Sequence, residues 1–143
     1  MSAVARIQEL LGGETVTGPL ESELDLMRMV RRGVPTEAVD AFLSRSHLTF
    51  RAIETHVLPR RTFKRRRDAD QPLDPAESDR LVRLVRLVAT AAETFGDADK
   101  AMAWFARENR ALDGQTPLSL ADTDLGSRSV ETLLGRIAHG LAA

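Results

Sequence analysis

The sequence predicts an all-α protein in which an N-terminal helix-turn-helix-like domain is joined by a long helix to a small helical C-terminal domain. Three observations carry that prediction. The strong helix formers Ala, Leu, Arg and Glu dominate while aromatics make up only 4%, whereas strands favour aromatic and β-branched residues. No segment alternates apolar and polar residues for long enough to make a half-buried strand. Apolar residues instead recur at helical spacing behind recognisable helix-start signals. With 143 residues, 43% hydrophobic and 29% charged, the chain has the composition of a globular protein with one medium domain or two small ones.

Residues 4–12 are expected to form a short helix stopped by Gly12-Gly13, and Glu14 to Pro19 a loop. Residues 1–20 therefore read as an N-terminal extension. From Glu21 to Arg32 the pattern is stronger. Leu24, Met27 and Val30 share one face, acids occupy the first turn, and Arg31-Arg32-Gly33 supplies a basic end and a stop. Pro35 opens a helix to about Leu43 with Val39, Phe42 and Leu43 inward. Thr49 can cap a helix to about His56, with Phe50, Ile53 and Val57 on one face. Val57-Leu58-Pro59 turns the chain into a second short helix, Arg60 to about Arg67. Two short helices across a tight turn, the second basic, make a helix-turn-helix pattern over a domain of residues 21–70. Ala52 is small enough to let the two approach, but the usual turn glycine is absent, with His56 near its place.

Asp74-Pro75-Ala76-Glu77 is a composite start signal: an Asp N-cap, Pro at the first helical position and Glu three residues after the cap. The helix it opens should run to Phe95 and end at Gly96, giving a connecting segment of residues 71–96. Leu81, Leu84, Val85, Val88, Ala92 and Phe95 form its apolar stripe, with Arg83, Arg86 and Glu93 opposite. In the C-terminal domain, residues 97–143, Asp97 caps a helix that turns Ala101, Trp104 and Phe105 inward. An irregular stretch, residues 109–117, leads to a helical turn at Pro117–Leu120. The last helix spans Thr123 to His139 and buries Val130, Leu133, Leu134 and Ile137.

Charge is unevenly distributed. The net charge is −1, yet residues 1–67 carry 12 basic and 8 acidic side chains and residues 68–143 carry 8 and 13. Such a split points to two faces with different partners. The basic excess concentrates in Arg60-Arg61-Thr62-Phe63-Lys64-Arg65-Arg66-Arg67, where six of eight residues are cationic and no acid occurs from Thr55 through Arg67. With Phe63 facing the core, Arg60, Arg61, Lys64 and Arg65 project outward, and Thr62 lies among them. A guanidinium fork pairs with guanine edges and phosphates alike, so these five residues are the expected DNA contacts. The competing reading is a solvated or salt-bridged structural helix. One short recognition helix reads few bases, so a homodimer on paired half-sites is expected. Val82 and Leu87 on the long helix, and Ile7, Leu10 and Leu11 near the N-terminus, are candidates for its surface, with core packing the default for each.

Other chemistries find no support. There is no cysteine, which excludes disulfide and thiolate chemistry and fits a reducing compartment. His47, His56 and His139 lack paired ligand spacing and read as surface or turn residues, so no metal and no cofactor is expected. No phosphate-cradling glycine loop or nucleophile motif is present, and Asp122 and Asp124 are accounted for by helix capping, so the chain is not expected to be an enzyme. No apolar run approaches the about 20 residues of a membrane span, and the N-terminus has no signal-peptide core, so a cytoplasmic location is expected.

One further pattern is more specific. Ala101-Met-Ala-Trp104-Phe105, Asn109-Arg-Ala111-Leu112-Asp-Gly114-Gln-Thr116-Pro117-Leu118, Leu125-Gly126-Ser-Arg128-Ser-Val130 and Leu133-Leu134-Gly135-Arg136-Ile137-Ala-His139-Gly140 succeed one another at fixed spacing. Together they closely resemble the C-terminal domain of the MbcA/ParS/Xre antitoxin family. Residues 21–95 are similar to that family's degenerate helix-turn-helix domain, including the Leu73–Arg80 approach to the long helix. The resemblance implies a non-enzymatic antitoxin of a two-gene module, partnered with a RES-domain toxin that acts on NAD and resembles ADP-ribosyltransferases. It further implies a dimer that covers the toxin's active-site cleft with its C-terminal domain and represses its own operon by binding operator DNA. Carried onto this chain, the toxin-facing residues are expected on the last helix and its end: Arg128, Glu131, Arg136, His139 and Gly140. Trp104, Leu112, Gly114, Thr116 and Pro117 are expected to build the domain that presents them. Phe105 departs from the commoner Leu. Two other readings stay open from the residues alone: a stand-alone transcription regulator with a C-terminal dimerisation domain, and a binding module whose basic helix touches no DNA.

Overall fold

A computed structural model of the chain describes residues 1–140. Every regular element among them is helical. The chain divides into two compact units, Met1–Val85 and Arg86–Ala143, each with its own core; the expected C-terminal domain runs on through residues 141–143, which lie outside the described residues.

In the first unit, α1 (Ala3–Leu10) starts where the Ser2 hydroxyl accepts from the Ala5 N–H. It sends Val4 and Ile7 inward, followed by the buried Leu11, and packs on α4 (Thr36–Ser46). The expected loop at 14–19 contains a one-turn helix, α2 (Glu14–Thr17). Its Thr17 is buried, and Gln8 donates to Thr17 Oγ1 at 3.2 Å and to the Gly18 carbonyl at 2.8 Å. Those tertiary bonds, absent from local sequence, hold the turn.

Helix α3 (Glu23–Arg32) begins at Ser22, whose hydroxyl accepts from Asp25 N–H. The helically spaced set Leu24, Met27 and Val30 is not the one that is buried. Leu26 and Met29 are the buried residues, Val30 is half-buried, and Leu24 and Met27 stand about half exposed, at 48% and 50%. Both stripes have helical spacing, and burial goes to the one that shares its arc with the buried Gly33–Val34 junction. That junction needs glycine. At φ +98° a Cβ on Gly33 would collide with the Leu73 carbonyl and Pro72. The close approach is cemented by Leu73 N–H to the Val34 carbonyl at 2.9 Å and Val34 N–H to Ser78 Oγ at 2.9 Å.

Helix α4 places Ala38, Val39 and Phe42 in the core, with Leu43 only half-buried. After His47, which ends α4 in the left-handed conformation at φ 62°, Thr49 caps α5 (Phe50–Ile53) through its hydroxyl. This helix is one turn long, shorter than expected, and continues as turns to Val57; Phe50, Ile53 and Val57 are all buried. Pro59 then precedes α6 (Arg60–Asp68), in which only Phe63 is buried.

Helix α7 (Pro75–Phe95) starts as its sequence dictates. Glu77 N–H donates to Asp74 Oδ1 at 2.7 Å, and Asp74 N–H donates back to Glu77 Oε1 at 2.8 Å, a reciprocal capping box. Its residues through Val85 count with the first unit and the rest with the second. Burial is wider than one stripe. Val82 and Leu87, named as possible dimer-surface residues, are 8% and 2% exposed, and Ile7 and Leu11 are fully buried. All four are core residues.

The second unit continues with α8 (Ala98–Ala106), whose Asp97 cap accepts from Asp99 and Lys100 N–H. Ala101 and Phe105 are buried, but Trp104 is only half-buried, lying against Phe95 at 5.6 Å and edge-on to Phe105 at 5.5 Å between ring centroids. A 3-10 turn (Arg110–Leu112) follows, capped by Asn109. It closes on itself through Asn109 N–H to the Gln115 carbonyl and Gly114 N–H to the Asn109 carbonyl. Thr116 and Pro117 start α9 (Pro117–Leu120), and Thr123 caps α10 (Asp124–Ala138). Gly126 sits where α10 meets α9, and any Cβ there would land inside the Leu120 carbonyl. Val130, Leu133 and Leu134 are buried; Ile137, expected inside, is half-buried in the last turn of the helix.

Candidate functional site

Two surfaces carry the candidate residues, one in each unit. In the first, Phe63 stacks against Phe50 with centroids 5.1 Å apart, and this contact sets the rotation of α6. With Phe63 inward, Arg60, Arg61, Lys64 and Arg65 are exposed and Thr62 is half-buried among them. Arg61, Lys64 and Arg65 make no ion pair among the described residues. Arg60 lies over the Phe50 ring at 4.8 Å, a contact that orders the side chain while leaving its charge uncompensated.

The remaining two cations of the run do something else. Arg66 turns back toward α7. Its Nε donates to Glu77 Oε1 at 2.7 Å and its Nη2 reaches Asp74 at 3.4 Å. With side-chain exposures of 19% for Arg66 and 8% for Glu77, this is a largely desolvated pair. The Glu77 hydrogen bond raises the Arg66 pKa above its ordinary value. Arg67 bonds Asp40 on α4 at 2.8 Å and covers the Phe63 ring at 4.5 Å. Counting acids along the chain missed these partners, because Asp40, Asp74 and Glu77 lie outside the run. The one signal available was the capping-box glutamate, whose second oxygen has no use within its own cap.

The turn between α5 and α6 explains the missing glycine. Positive φ occurs at His47, Asp70 and Asp113 among non-glycine residues, and not at His56, so no left-handed residue is required there. His56, expected at the surface or in a turn, lies in the turn but buried at 8% exposure. Arg80 of α7 holds the turn by donating to the Val57 carbonyl at 3.0 Å. Glu54 accepts from the Arg60 N–H at 3.2 Å, which puts one carboxylate at the amino end of α6.

In the second unit, Arg128, Glu131, Arg136, His139 and Gly140 are all exposed. At 100° per residue, Arg128, Thr132, Gly135 and His139 fall within roughly 60° of arc on the side of α10 away from its buried residues. Glu131 and Arg136 lie on opposite shoulders of that stripe. Arg128 pairs with Asp124 one turn earlier at 3.0 Å, with both side chains largely solvated at 73% and 58%; such a pair is worth little and is easily exchanged for another partner. Leu125, 78% exposed, stands at the N-terminal edge of the same surface. Trp104, Leu112, Thr116 and Pro117 are half-buried or buried and shape the support beneath. Gly114 is exposed, at φ +79° in the turn. No group of three or more potential metal ligands occurs among the described residues, and no helix there is long and apolar enough to cross a membrane.

Comparison with known proteins bears on both surfaces. Residues 25–86 match the family model described as the antitoxin Xre-like helix-turn-helix domain. Residues 90–140 match the one described as the antitoxin Xre/MbcA/ParS C-terminal toxin-binding domain. The chain is 34% identical over 133 residues to an antitoxin Xre of Photorhabdus laumondii, covering 90% of this chain and 88% of that protein. It is 31% identical over 122 residues to an antitoxin Xre of Yersinia enterocolitica, covering 81% and 80%. A third antitoxin Xre, from Pseudomonas putida, is 40% identical over 84 residues, 59% of this chain and 53% of that protein.

Proposed function

The chain belongs to the Xre antitoxin family, and from that premise we propose that it neutralises a RES-domain, NAD-consuming toxin by covering the toxin's active site with α10. An antitoxin of this family is not an enzyme; its helix-turn-helix and toxin-binding domains act by occupying surfaces. In the proposed mechanism the exposed side of α10 fills the cleft and denies entry to NAD. Arg128, Glu131, Arg136 and His139 supply the polar contacts, and Gly140 ends the helix. Losing one partner of a buried charged contact costs about 2–5 kcal/mol, so the two arginines are expected to dominate.

The same protein is proposed to act in the cytoplasm as a homodimer that represses its own operon through α6. There Arg60, Arg61, Thr62, Lys64 and Arg65 meet the operator, the exposed arginines reading guanine edges and all the cations neutralising phosphates.

The observation that carries the toxin reading is the match of residues 90–140 to a toxin-binding domain, in which α10 exposes Arg128, Thr132 and His139 along one side. Co-expression of the full-length chain with the RES-domain toxin of the adjacent gene tests it. Wild type should restore growth. Arg128→Glu combined with His139→Glu should not, while shifting operator DNA normally. Full rescue by that variant, with its fold intact by circular dichroism, would overturn the occlusion mechanism.

A further inference from the structure

Helix α10 contains two residues that the second unit does not use for its own fold, and both lie on the side that the occlusion reading turns toward the toxin. The first is Gly135. Seven of the nine glycines have positive φ, and at Gly126 a Cβ would strike the Leu120 carbonyl. Gly135 has neither reason. It sits inside α10 in helical conformation, and a Cβ there would meet nothing within 4 Å. A glycine inside a helix destabilises it relative to alanine, so the free chain carries a cost that its own packing does not return. The second is Leu125, 78% exposed, more than any other large apolar side chain among the described residues. A lone exposed leucine is ordinary; its place on α10 gives it meaning. At 100° per residue, Gly135 and Leu125 bound an arc of about 80° that holds Arg128, His139 and Thr132 between them, opposite the buried side. That side therefore presents an apolar knob in its first turn. About 15 Å further along the axis it presents a hole floored by bare backbone, ringed by the exposed Glu131, Thr132, Ala138 and His139.

We propose that Leu125 and Gly135 make a two-point contact with the toxin, in which Leu125 fills an apolar pocket of the toxin and Gly135 is where the toxin surface comes closest to the α10 backbone. The inference rests on the occlusion reading and adds to its polar contacts the two places that set fit and distance. Both residues fall within the stretch 90–140 that matches a toxin-binding domain, which makes the toxin, and not a second copy, the partner of this side. The two points act in different ways. Leu125 contributes affinity by leaving water, in proportion to the apolar area it buries. At Gly135 any Cβ pushes the toxin outward, and the hydrogen bonds of Arg128 and His139 lengthen with it. Toxin binding and helix stability therefore favour different residues at position 135, and substitution should separate them.

Isothermal titration of the adjacent-gene toxin with the full-length chain, alongside thermal unfolding of the chain alone, tests both points. Gly135→Ala should raise the unfolding temperature yet weaken toxin binding at least about tenfold, and Gly135→Leu should weaken it further. Leu125→Ala should leave the unfolding temperature unchanged and weaken binding about tenfold, while Leu125→Met stays within about twofold of wild type. A Cβ at position 135 meets nothing and Leu125 is solvated, so the unfolding temperature shows directly that each variant keeps its fold. A wild type that does not bind the toxin overturns the occlusion reading itself. Binding that is lost in Arg128→Glu with His139→Glu, but stays within about twofold in Gly135→Leu or in Leu125→Ala, overturns the two-point contact alone. Loss of self-association in these variants with toxin binding unchanged, read by sedimentation equilibrium, assigns this side to a second copy and overturns the contact as well.

Discussion

Replacing Glu77 by Ala removes more than a surface acid, and the structure gives the size of the effect. The side chain is 8% exposed. It accepts from the Asp74 N–H at 2.8 Å and from Arg66 Nε at 2.7 Å and Nη2 at 3.2 Å. Losing half of the capping box costs about 0.5–1 kcal/mol by analogy with single N-cap substitutions. Stranding the partner of a fully buried ion pair costs about 3–5 kcal/mol. Arg66 retains 19% side-chain exposure and the Asp74 contact at 3.4 Å, so it can relax toward water, and roughly half of that penalty applies. The expected total is about 2–3 kcal/mol, which at a urea dependence of about 2 kcal/mol per molar lowers the midpoint by roughly 1–1.5 M. Far-UV circular dichroism of urea unfolding reads it directly. Arg66→Met together with Glu77→Leu should recover most of the loss, because a well-packed apolar pair replaces a desolvated ionic one at little cost. A midpoint shift below about 0.3 M for Glu77→Ala, the behaviour of a solvated surface pair, would refute the assignment of Arg66 to the fold.

The other expectations follow from the same sorting of side chains. Arg61→Ala, Lys64→Ala and Arg65→Ala should each weaken non-specific DNA binding and reduce the slope of log K against log salt by about one, whereas Arg66→Leu should leave that slope unchanged; fluorescence anisotropy across a salt series measures both. Gly126→Ala should disrupt the second unit, because its Cβ meets the rigid Leu120 carbonyl, with a loss of about 3 kcal/mol or more. Trp104, the sole tryptophan, reports it through fluorescence. Gly135→Ala should do the reverse: a Cβ there meets nothing within 4 Å, so the gain in helix propensity should raise stability by about 0.5–1 kcal/mol. Asp25 has its pKa lowered chiefly by the Glu21 backbone N–H that it accepts. Its contribution to the start of α3 is therefore present above the unfolded carboxylate value of 3.8 and lost as the pH falls through the lower folded value. Asp25→Asn should flatten that part of the acid unfolding curve.

Local chemistry was legible in the sequence wherever it is self-contained. The reciprocal bonds of Asp74 and Glu77, the caps at Thr49 and Asp97, and the helical turn opened by Pro117 all involve groups within a few residues of one another, so spacing alone determined them; at the last helix the cap is Thr123 and not the flanking Asp122 or Asp124 to which capping was assigned. Phe63 as the inward residue of α6 was equally plain, because it is the only large apolar side chain in a cationic run and leaves burial no alternative. The outward set of Arg60, Arg61, Lys64 and Arg65 follows from that one residue. Tertiary structure decided the cases in which two local solutions are nearly equivalent or a partner is distant in sequence. Helix α3 has two apolar stripes, and only the packing around Gly33 and Val34 selects Leu26 and Met29 over Leu24 and Met27. The turn at Glu14–Thr17 exists because Gln8 bonds Thr17 and Gly18. Val82 and Leu87 are core residues because α7 is enclosed over more of its circumference than a single stripe requires. The basic run itself divides only in three dimensions: Arg66 belongs to Glu77 and Arg67 to Asp40, since an ion pair is set by distance through space and not by distance along the chain.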